Sequence, residues 1–153
     1  MTGAGVDVIL DFPGWRDRLP EARALARRVA ASAAAAEPAL KGAVALLLTD
    51  DPTLKDLNAR FRGKDAATNV LSFPSGEQAP GFLGDVALAF ETCAREADDA
   101  GASLADHAAH LIVHGLLHLV GYDHESDEEA LVMERKEVEI LASLGIKNPY
   151  TES

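Results

Sequence analysis

The alternation of apolar and polar positions predicts a strand, a helix and a second strand in the first third of the chain. The apolar run VDVIL begins at Val6, and the alanine-rich stretch from Pro20 to Ala36 has a helical composition, with Pro20 suited to its first turn. A second apolar run, AVALLL, begins at Ala43. This order predicts a parallel crossover unit.

The middle of the chain predicts one more helix and two more strands. Asp51 and Pro52 are typical of the N-cap and first position of a helix, which we expect to end near Phe61. The run VLSF, followed by Pro74, is typical of a strand. The segment SGEQAPGFLG is loop-like and closes at Gly84, after which DVALAF predicts a neighbouring strand.

The last third of the chain is predicted to be helical and completes an α+β fold. We expect three helices, covering Glu91 to about Ala100, Ser103 to Val120, and about Ser126 to Leu144. The whole pattern predicts a small mixed sheet of about four strands packed against several helices. A length of 153 residues is typical of one domain, so residues 1–153 are predicted to form a single domain.

Composition and charge restrict the chemistry. Cys93 is the only cysteine, which excludes an internal disulfide and a cysteine-rich zinc cluster, so a metal would need nitrogen or oxygen ligands. The formal net charge of −11 would repel a phosphate backbone unless basic residues are concentrated locally. We find no signal peptide and no segment long and apolar enough to span a bilayer, and we expect a cytoplasmic protein with no membrane partner.

The histidines provide the clearest chemical signal. All five lie between His107 and His124, although a random distribution would spread them along the chain. On the predicted central helix, His114 and His118 are one turn apart and about 40° apart around the axis, so both can reach one ion.

The third ligand must be either His110 or His124, and the reach of a helix decides between them. Histidines at 110, 114 and 118 would form a stripe about 12 Å long, which is too long for three bonds of about 2.0–2.1 Å to one zinc ion. Gly121 allows a left-handed turn that brings His124 back toward the pair. We therefore predict one Zn²⁺ held by His114, His118 and His124, with an open position typical of catalytic sites.

Four blocks of the sequence form a recognisable set: HGLLHLVGYDH, LNARFRGKDAATNVLSF, GFLGDVALAF and MERKEVEILASLGIKNPY. They resemble the YbeY family of bacterial endoribonucleases, which act in ribosomal RNA maturation. The first block closely resembles the family signature HGxLHLxGYDH. The resemblance implies a zinc-dependent, single-strand-specific endoribonuclease that matures the 3′ end of small-subunit (16S) ribosomal RNA and takes part in ribosome quality control. It also implies that the partners are ribosomal RNA, the small ribosomal subunit, and a small-subunit ribosomal protein or assembly GTPase.

The same resemblance suggests which residues act on RNA. Arg62 matches the arginine that the family uses near its metal, and a guanidinium suits the negative charge that develops on a phosphate. We therefore predict that Arg62 and His114 are catalytic. Arg60 and Lys64 are predicted to position the RNA backbone.

Three carboxylates near these motifs are further candidates. Asp85 and Asp123 are predicted to support the metal ligands, and Asp85, Asp123 and Glu125 are the candidate general bases. Two other functions stay open: a small zinc peptidase, and a ribosome-assembly factor with a structural metal. In zinc peptidases a glutamate follows the first histidine, whereas this chain has Gly115 there.

Overall fold

The computed structural model describes residues 5–64, 68–75 and 81–150. The predicted loop SGEQAPGFLG and the block LNARFRGKDAATNVLSF therefore lie partly outside the described residues. Within the described residues, the elements follow the order β1 (Val6–Leu10), α1 (Pro13–Arg18), α2 (Ala22–Ala36), β2 (Ala43–Thr49), α3 (Asp51–Arg62), β3 (Val70–Pro74), β4 (Phe82–Ala89), α4 (Phe90–Ala100), α5 (Leu104–Leu119) and α6 (Asp127–Ser143).

The strands form one mixed sheet in the order β1-β2-β4-β3. Strands β1, β2 and β4 are parallel, and β3 runs antiparallel to β4. The parallel pairing of β1 with β2 across α2 is the crossover unit expected from the sequence. The α+β prediction, with a four-stranded mixed sheet, is confirmed.

Helix α5 lies at the centre of the molecule, against β3 and β4 on one side and α2, α4 and α6 on the others. Most of its apolar side chains are buried, which fits a helix that is apolar around much of its circumference. Its close approach to the sheet depends on Gly115. A Cβ at this position would lie 2.6 Å from Cγ1 of Val86, so only glycine fits without a shift of the buried strand.

The opposite face of the sheet is covered by α3. Leu54 of α3 packs there with Leu71, Ala87 and Ala89 in a second, smaller core. Because side chains alternate along a strand, Gly84 and Val86 of β4 face α5, whereas Ala87 faces α3.

Helix α1 was not predicted, because its six-residue sequence PGWRDR is too short and polar to show a helical period. Trp15 anchors it. The indole is fully buried, lies edge-on to Phe90 at 5.2 Å between ring centroids, and donates from Nε1 to the carbonyl oxygen of Thr49 at 2.9 Å. The hydrogen bond satisfies the one polar atom of this buried ring.

The predicted starts of α2 and β4 were wrong by two and three residues. Helix α2 begins at Ala22 with Glu21 as its N-cap, so Pro20 precedes the helix. Strand β4 begins at Phe82, before Gly84, because β4 continues its pairing with β2 past that glycine.

The N-cap of α3 is Asp50, not the predicted Asp51. The Asp50 carboxylate accepts a hydrogen bond from the backbone N–H of Thr53 at 2.9 Å. Asp51 instead accepts hydrogen bonds from the backbone N–H and the hydroxyl of Thr92, and so joins the start of α3 to the start of α4. Either aspartate suits an N-cap, and tertiary contacts decide between them.

Candidate metal centre

Two of the predicted ligands are placed by α5 alone. His114 and His118 are one turn apart on the same helix face, with ring centroids 4.6 Å apart. Their Nε2 atoms are 3.1 Å apart. The helix therefore points one nitrogen of each ring at a common position.

The third histidine is brought back by the turn that ends α5. Gly121 has a φ of 102°, and the backbone N–H of Tyr122 donates to the Leu117 carbonyl at 3.0 Å. Together with the bond from the Gly121 N–H to the His118 carbonyl at 3.2 Å, this forms a glycine-dependent Schellman turn. His124 then lies with its ring centroid 5.6 Å from that of His114 and 5.2 Å from that of His118.

The three rings have the composition and spacing of a metal site. One nitrogen from each of His114, His118 and His124 lies within 4.8 Å of the others. In the described residues no fourth histidine, cysteine or carboxylate joins this group. Three protein ligands with an open position are typical of catalytic zinc.

The hydrogen bonds behind the rings assign their tautomers and fit a cation. Nδ1 of His114 donates to the Glu137 carboxylate at 2.7 Å, and Nδ1 of His118 donates to the Tyr122 carbonyl at 2.8 Å. Both Nε2 atoms therefore present lone pairs to each other, an arrangement that a shared cation stabilises. Two nitrogens bound tetrahedrally to one zinc would be about 3.3 Å apart, close to the separation found here.

Burial favours the neutral form that a ligand requires. Burial, and then the neighbouring His114 ring, lower the pKa of His118. A neutral imidazole keeps its lone pair available for a metal.

Glu137 is the functional residue that the sequence prediction missed. This α6 side chain has no exposed surface, and its carboxylate accepts hydrogen bonds from His114, from Nε2 of His110 at 3.0 Å, and from the Tyr150 hydroxyl. Burial alone would raise its pKa, but the hydrogen bonds from His110, His114 and Tyr150 hold the pKa of Glu137 at about 2. It is thus a buried anion directly behind one of the three histidines that could hold a metal, an arrangement that orients the ring.

One sequence signal could have identified Glu137. It follows Met133 by four residues and precedes Ile140 and Leu141 by three and four, which is the spacing of one helix face. A glutamate in such an apolar stripe is seldom buried without a partner. The sequence could not identify the partners of Glu137, because His110 and His114 lie on α5, which contacts α6 only in the folded chain.

The two remaining histidines lie outside the metal group and contact carboxylates. His110 lies between Glu137 and Tyr150, so its predicted exclusion as a ligand agrees with its position. Nε2 of His107 is 2.9 Å from the Glu96 carboxylate, which also accepts a hydrogen bond from the amide of Asn69 at 3.0 Å.

The metal group opens into a cavity of about 490 Å³. Besides the three histidines, polar and basic side chains surround it, among them Asn58, Arg62, Lys64, Asn69 and Ser72. A mixed polar and basic wall next to a metal group suits an anionic substrate.

Of the three basic residues predicted for RNA, the structure brings two to the cavity. Arg62 donates to the Ser72 carbonyl at 2.7 Å, and its guanidinium lies 5.9 Å from the centroid of the Phe73 ring. Lys64 lines the same cavity. Arg60 lies elsewhere, where its Nε is 3.2 Å from the Asp56 carboxylate in an exposed pair on α3.

The three candidate carboxylates are separated by the fold. Asp123 lines the cavity, and its carboxylate accepts the backbone N–H of His124 at 2.8 Å. Glu125 is exposed and is not among the cavity-lining residues that the structure describes. Asp85 lies away from the histidines, in an apolar cavity with Leu57 and Phe61 of α3. The structure therefore does not support the prediction that Asp85 assists the ligands, because its position in β4 points it to the other face of the sheet.

Among the described residues, no helix has the length and apolar content needed to cross a membrane.

Comparison with known proteins identifies the family of this chain. The family model described as Endoribonuclease YbeY matches residues 16–145. Proteins named Endoribonuclease YbeY from Paramagnetospirillum magneticum and Sphingopyxis alaskensis are 50% and 52% identical to this chain. The first alignment covers 96% of this chain and 97% of the relative, and the second covers 93% and 91%.

The fold also has a counterpart among solved structures. A Thermotoga maritima protein, whose structure was determined in solution, superposes with a TM-score of 0.58 and 22% identity over 97% of each chain. At that identity the likeness concerns the fold alone, whereas the family match spans the part of the sequence that contains the three histidines. This chain belongs to the endoribonuclease YbeY family.

Proposed function

We propose that this protein is a zinc-dependent, single-strand-specific endoribonuclease of the cytoplasm. In this proposal it matures the 3′ end of small-subunit (16S) ribosomal RNA and takes part in ribosome quality control. The observation that carries the enzymatic part is the single cavity onto which both the three histidines and Arg62 open.

The histidines would hold the zinc ion as three neutral ligands. When bound, the zinc supplies a Lewis acid that activates water and offsets negative charge on the phosphodiester. Two of the rings are fixed from behind, His114 by Glu137 and His118 by the Tyr122 carbonyl. This support holds their Nε2 atoms in place before substrate arrives.

Arg62 would stabilise the charge that develops on the phosphoryl oxygens. Its contacts with the Ser72 carbonyl and the Phe73 ring restrict the guanidinium to the cavity wall. A guanidinium has five N–H groups, so the bond to Ser72 leaves others to donate to a phosphate. Lys64 adds a second positive charge on the same wall and would position the RNA backbone.

Asp123 is the carboxylate best placed to accept a proton from the attacking nucleophile. It lines the cavity beside His124, whereas Asp85 faces the other side of the sheet. We therefore infer that Asp123, of the three candidate bases, acts in the reaction.

Two observations disfavour the alternative functions. A peptidase-type glutamate at position 115 would overlap Val86, because even a Cβ there would lie 2.6 Å from its Cγ1. A structural zinc is normally closed by a fourth protein ligand, and the described residues offer none beside the histidines. The first observation disfavours a peptidase, and the second favours a catalytic over a structural metal.

The ribosomal part of the proposal rests on family resemblance. The expected partners are ribosomal RNA, the small subunit, and a small-subunit ribosomal protein or assembly GTPase. An acidic chain with a small basic wall would bind naked RNA weakly, so docking on the ribosome would supply much of the affinity.

Substitution of Arg62 tests the assignment. In zinc-loaded protein, Arg62→Ala should lower kcat for single-stranded RNA by about 10²–10³, the usual cost of removing one donor to a developing oxyanion. Zinc content should stay that of the parent, because Arg62 is not a ligand. Arg60→Ala is the matched comparison and should keep kcat, since Arg60 pairs with Asp56. Parental kcat in the Arg62→Ala protein would refute the role.

A further inference from the structure

The chain after α6 turns back toward the histidines. Gly145, with a φ of 77°, donates its N–H to Ala142 at 3.0 Å, and the N–H of Ile146 donates to Leu141 at 2.9 Å. This is a second Schellman turn, and it places Ile146 against the main core. The residues that follow are thereby directed along α6 toward the buried carboxylate.

Tyr150 is where this segment reaches the metal centre. Its backbone N–H donates to the Asn148 side chain at 2.8 Å, and its hydroxyl donates to the Glu137 carboxylate. Its ring lies edge-on to His110, with 5.4 Å between ring centroids. The phenol thus contacts both the buried Glu137 carboxylate and His110, which also donates to that carboxylate.

Apolar burial does not account for this position. Tyr150 remains 45% exposed, so the ring gains little by packing, whereas Glu137 has no exposed surface and needs donors for its charge. One carboxylate oxygen receives His114, and the other receives both His110 and Tyr150. Burial, together with the adjacent carboxylate, raises the pKa of Tyr150, so the phenol keeps its proton and acts as a donor.

We propose that Tyr150 is a positioning residue for the metal centre. Its hydroxyl holds the Glu137 carboxylate in the orientation that accepts the Nδ1–H of His114, and so keeps Nε2 of His114 directed at the metal. The inference rests on the proposed binding of zinc by the three histidines.

Loss of the hydroxyl has a specific consequence. One oxygen of Glu137 would retain only the bond from His110, and the carboxylate could rotate away from His114. The ligand would then be less well oriented, and the bound metal would dissociate faster.

Zinc binding to Tyr150→Phe tests the proposal. We expect the zinc Kd, measured by competition with a chromophoric chelator, to rise about tenfold, the lower end of the range for such supporting residues. The metal-free protein should stay folded at the assay temperature with a modestly lower unfolding midpoint, because the ring and the bonds from His110 and His114 to Glu137 are kept. Ser143→Ala is the control: it removes a hydroxyl near the end of α6 that donates only to the Ile140 carbonyl, and it should leave the Kd unchanged.

A second variant tests whether the ring that Tyr150→Phe retains compensates for the lost hydroxyl. Tyr150→Ala lacks the whole aromatic side chain and should lose at least as much zinc affinity as Tyr150→Phe. Parental zinc affinity in both variants would overturn the proposal, as would a loss fully explained by a lower unfolding midpoint of the metal-free protein.

The zinc site itself is checked with His118→Ala. If the parent binds one zinc tightly and His118→Ala does not, an unchanged Kd in the Tyr150 variants refutes only the role of Tyr150. If parent and His118→Ala bind zinc equally, the site is not at the histidines, and both this inference and the proposed function fail.

Discussion

The two ring nitrogens of His114 have different partners. Nδ1 donates to a buried carboxylate, and Nε2 faces the cavity. His118 repeats the division with a backbone carbonyl in place of the carboxylate. The carboxylate places negative charge behind only one of the two rings, that of His114.

Gly115, between these ligands, has a steric reason for its identity. A glycine-to-alanine change within a helix usually stabilises a protein by about 1 kcal/mol. Here a Cβ would overlap the fully buried Val86, so we expect Gly115→Ala to lower the free energy of unfolding by about 1–3 kcal/mol. Urea denaturation of the metal-free protein measures this change, and a stabilised variant would contradict the tight packing of α5 on β4.

At the scale of elements, the site depends on how helices end. The turn after α5 delivers His124, and the turn after α6 directs Tyr150 to the anion. In both turns a glycine with positive φ reverses the chain, so rigid helices place residues that are distant in sequence.

Gly121→Ala tests whether the first turn positions the metal ligand. Gly101, which ends α4, is the matched control, because both glycines have positive φ and neither would place a Cβ within 4 Å of another atom. Each substitution should cost about 1–2 kcal/mol of stability from backbone strain. Only Gly121→Ala should also weaken zinc binding, because only that turn carries a ligand. Equal zinc affinity in the two variants would show that His124 does not depend on the turn.

The sequence correctly predicted the features that depend on the local geometry of the backbone. His114 and His118 share a helix face by spacing alone, and Gly121 explains His124, so all three predicted ligands come together. Glu137 was missed because it comes from another helix, and Asp85 was misplaced because the sequence did not show which face of β4 packs on α5. Helix α1 was missed because one buried tryptophan, not a periodic pattern, holds it.

For the molecule as a whole, the distribution of charge conflicts with an RNA substrate. The formal net charge is −11, and the exposed acidic run of Glu125, Asp127 and Glu128 begins directly after His124. Arg62 and Lys64 supply positive charge at the cavity. The balance between this wall and the acidic run should set the affinity for naked RNA.

Neutralising part of the acidic run tests this balance. At low ionic strength, a Glu125→Gln/Glu128→Gln protein should bind single-stranded RNA about fourfold more tightly, since two unit charges about 10 Å apart interact by about 0.4 kcal/mol in water and two such repulsions are removed. The gain should disappear at high salt. Asp98→Asn/Asp99→Asn is the control, because α4 ends beside the start of α5, about 15 Å of helix before His114. Unchanged affinity in the first variant, or an equal gain in the control, would argue against local repulsion.

The most direct test of the central claim is zinc-dependent RNA cleavage by the same preparation before and after removal of metal. We predict that a chelator abolishes cleavage of single-stranded RNA, that activity returns in proportion to added zinc up to one ion per chain, and that His118→Ala stays inactive at every zinc concentration. Cleavage that persists in the metal-free protein, or in His118→Ala, would contradict the assignment of the three histidines as the catalytic metal site.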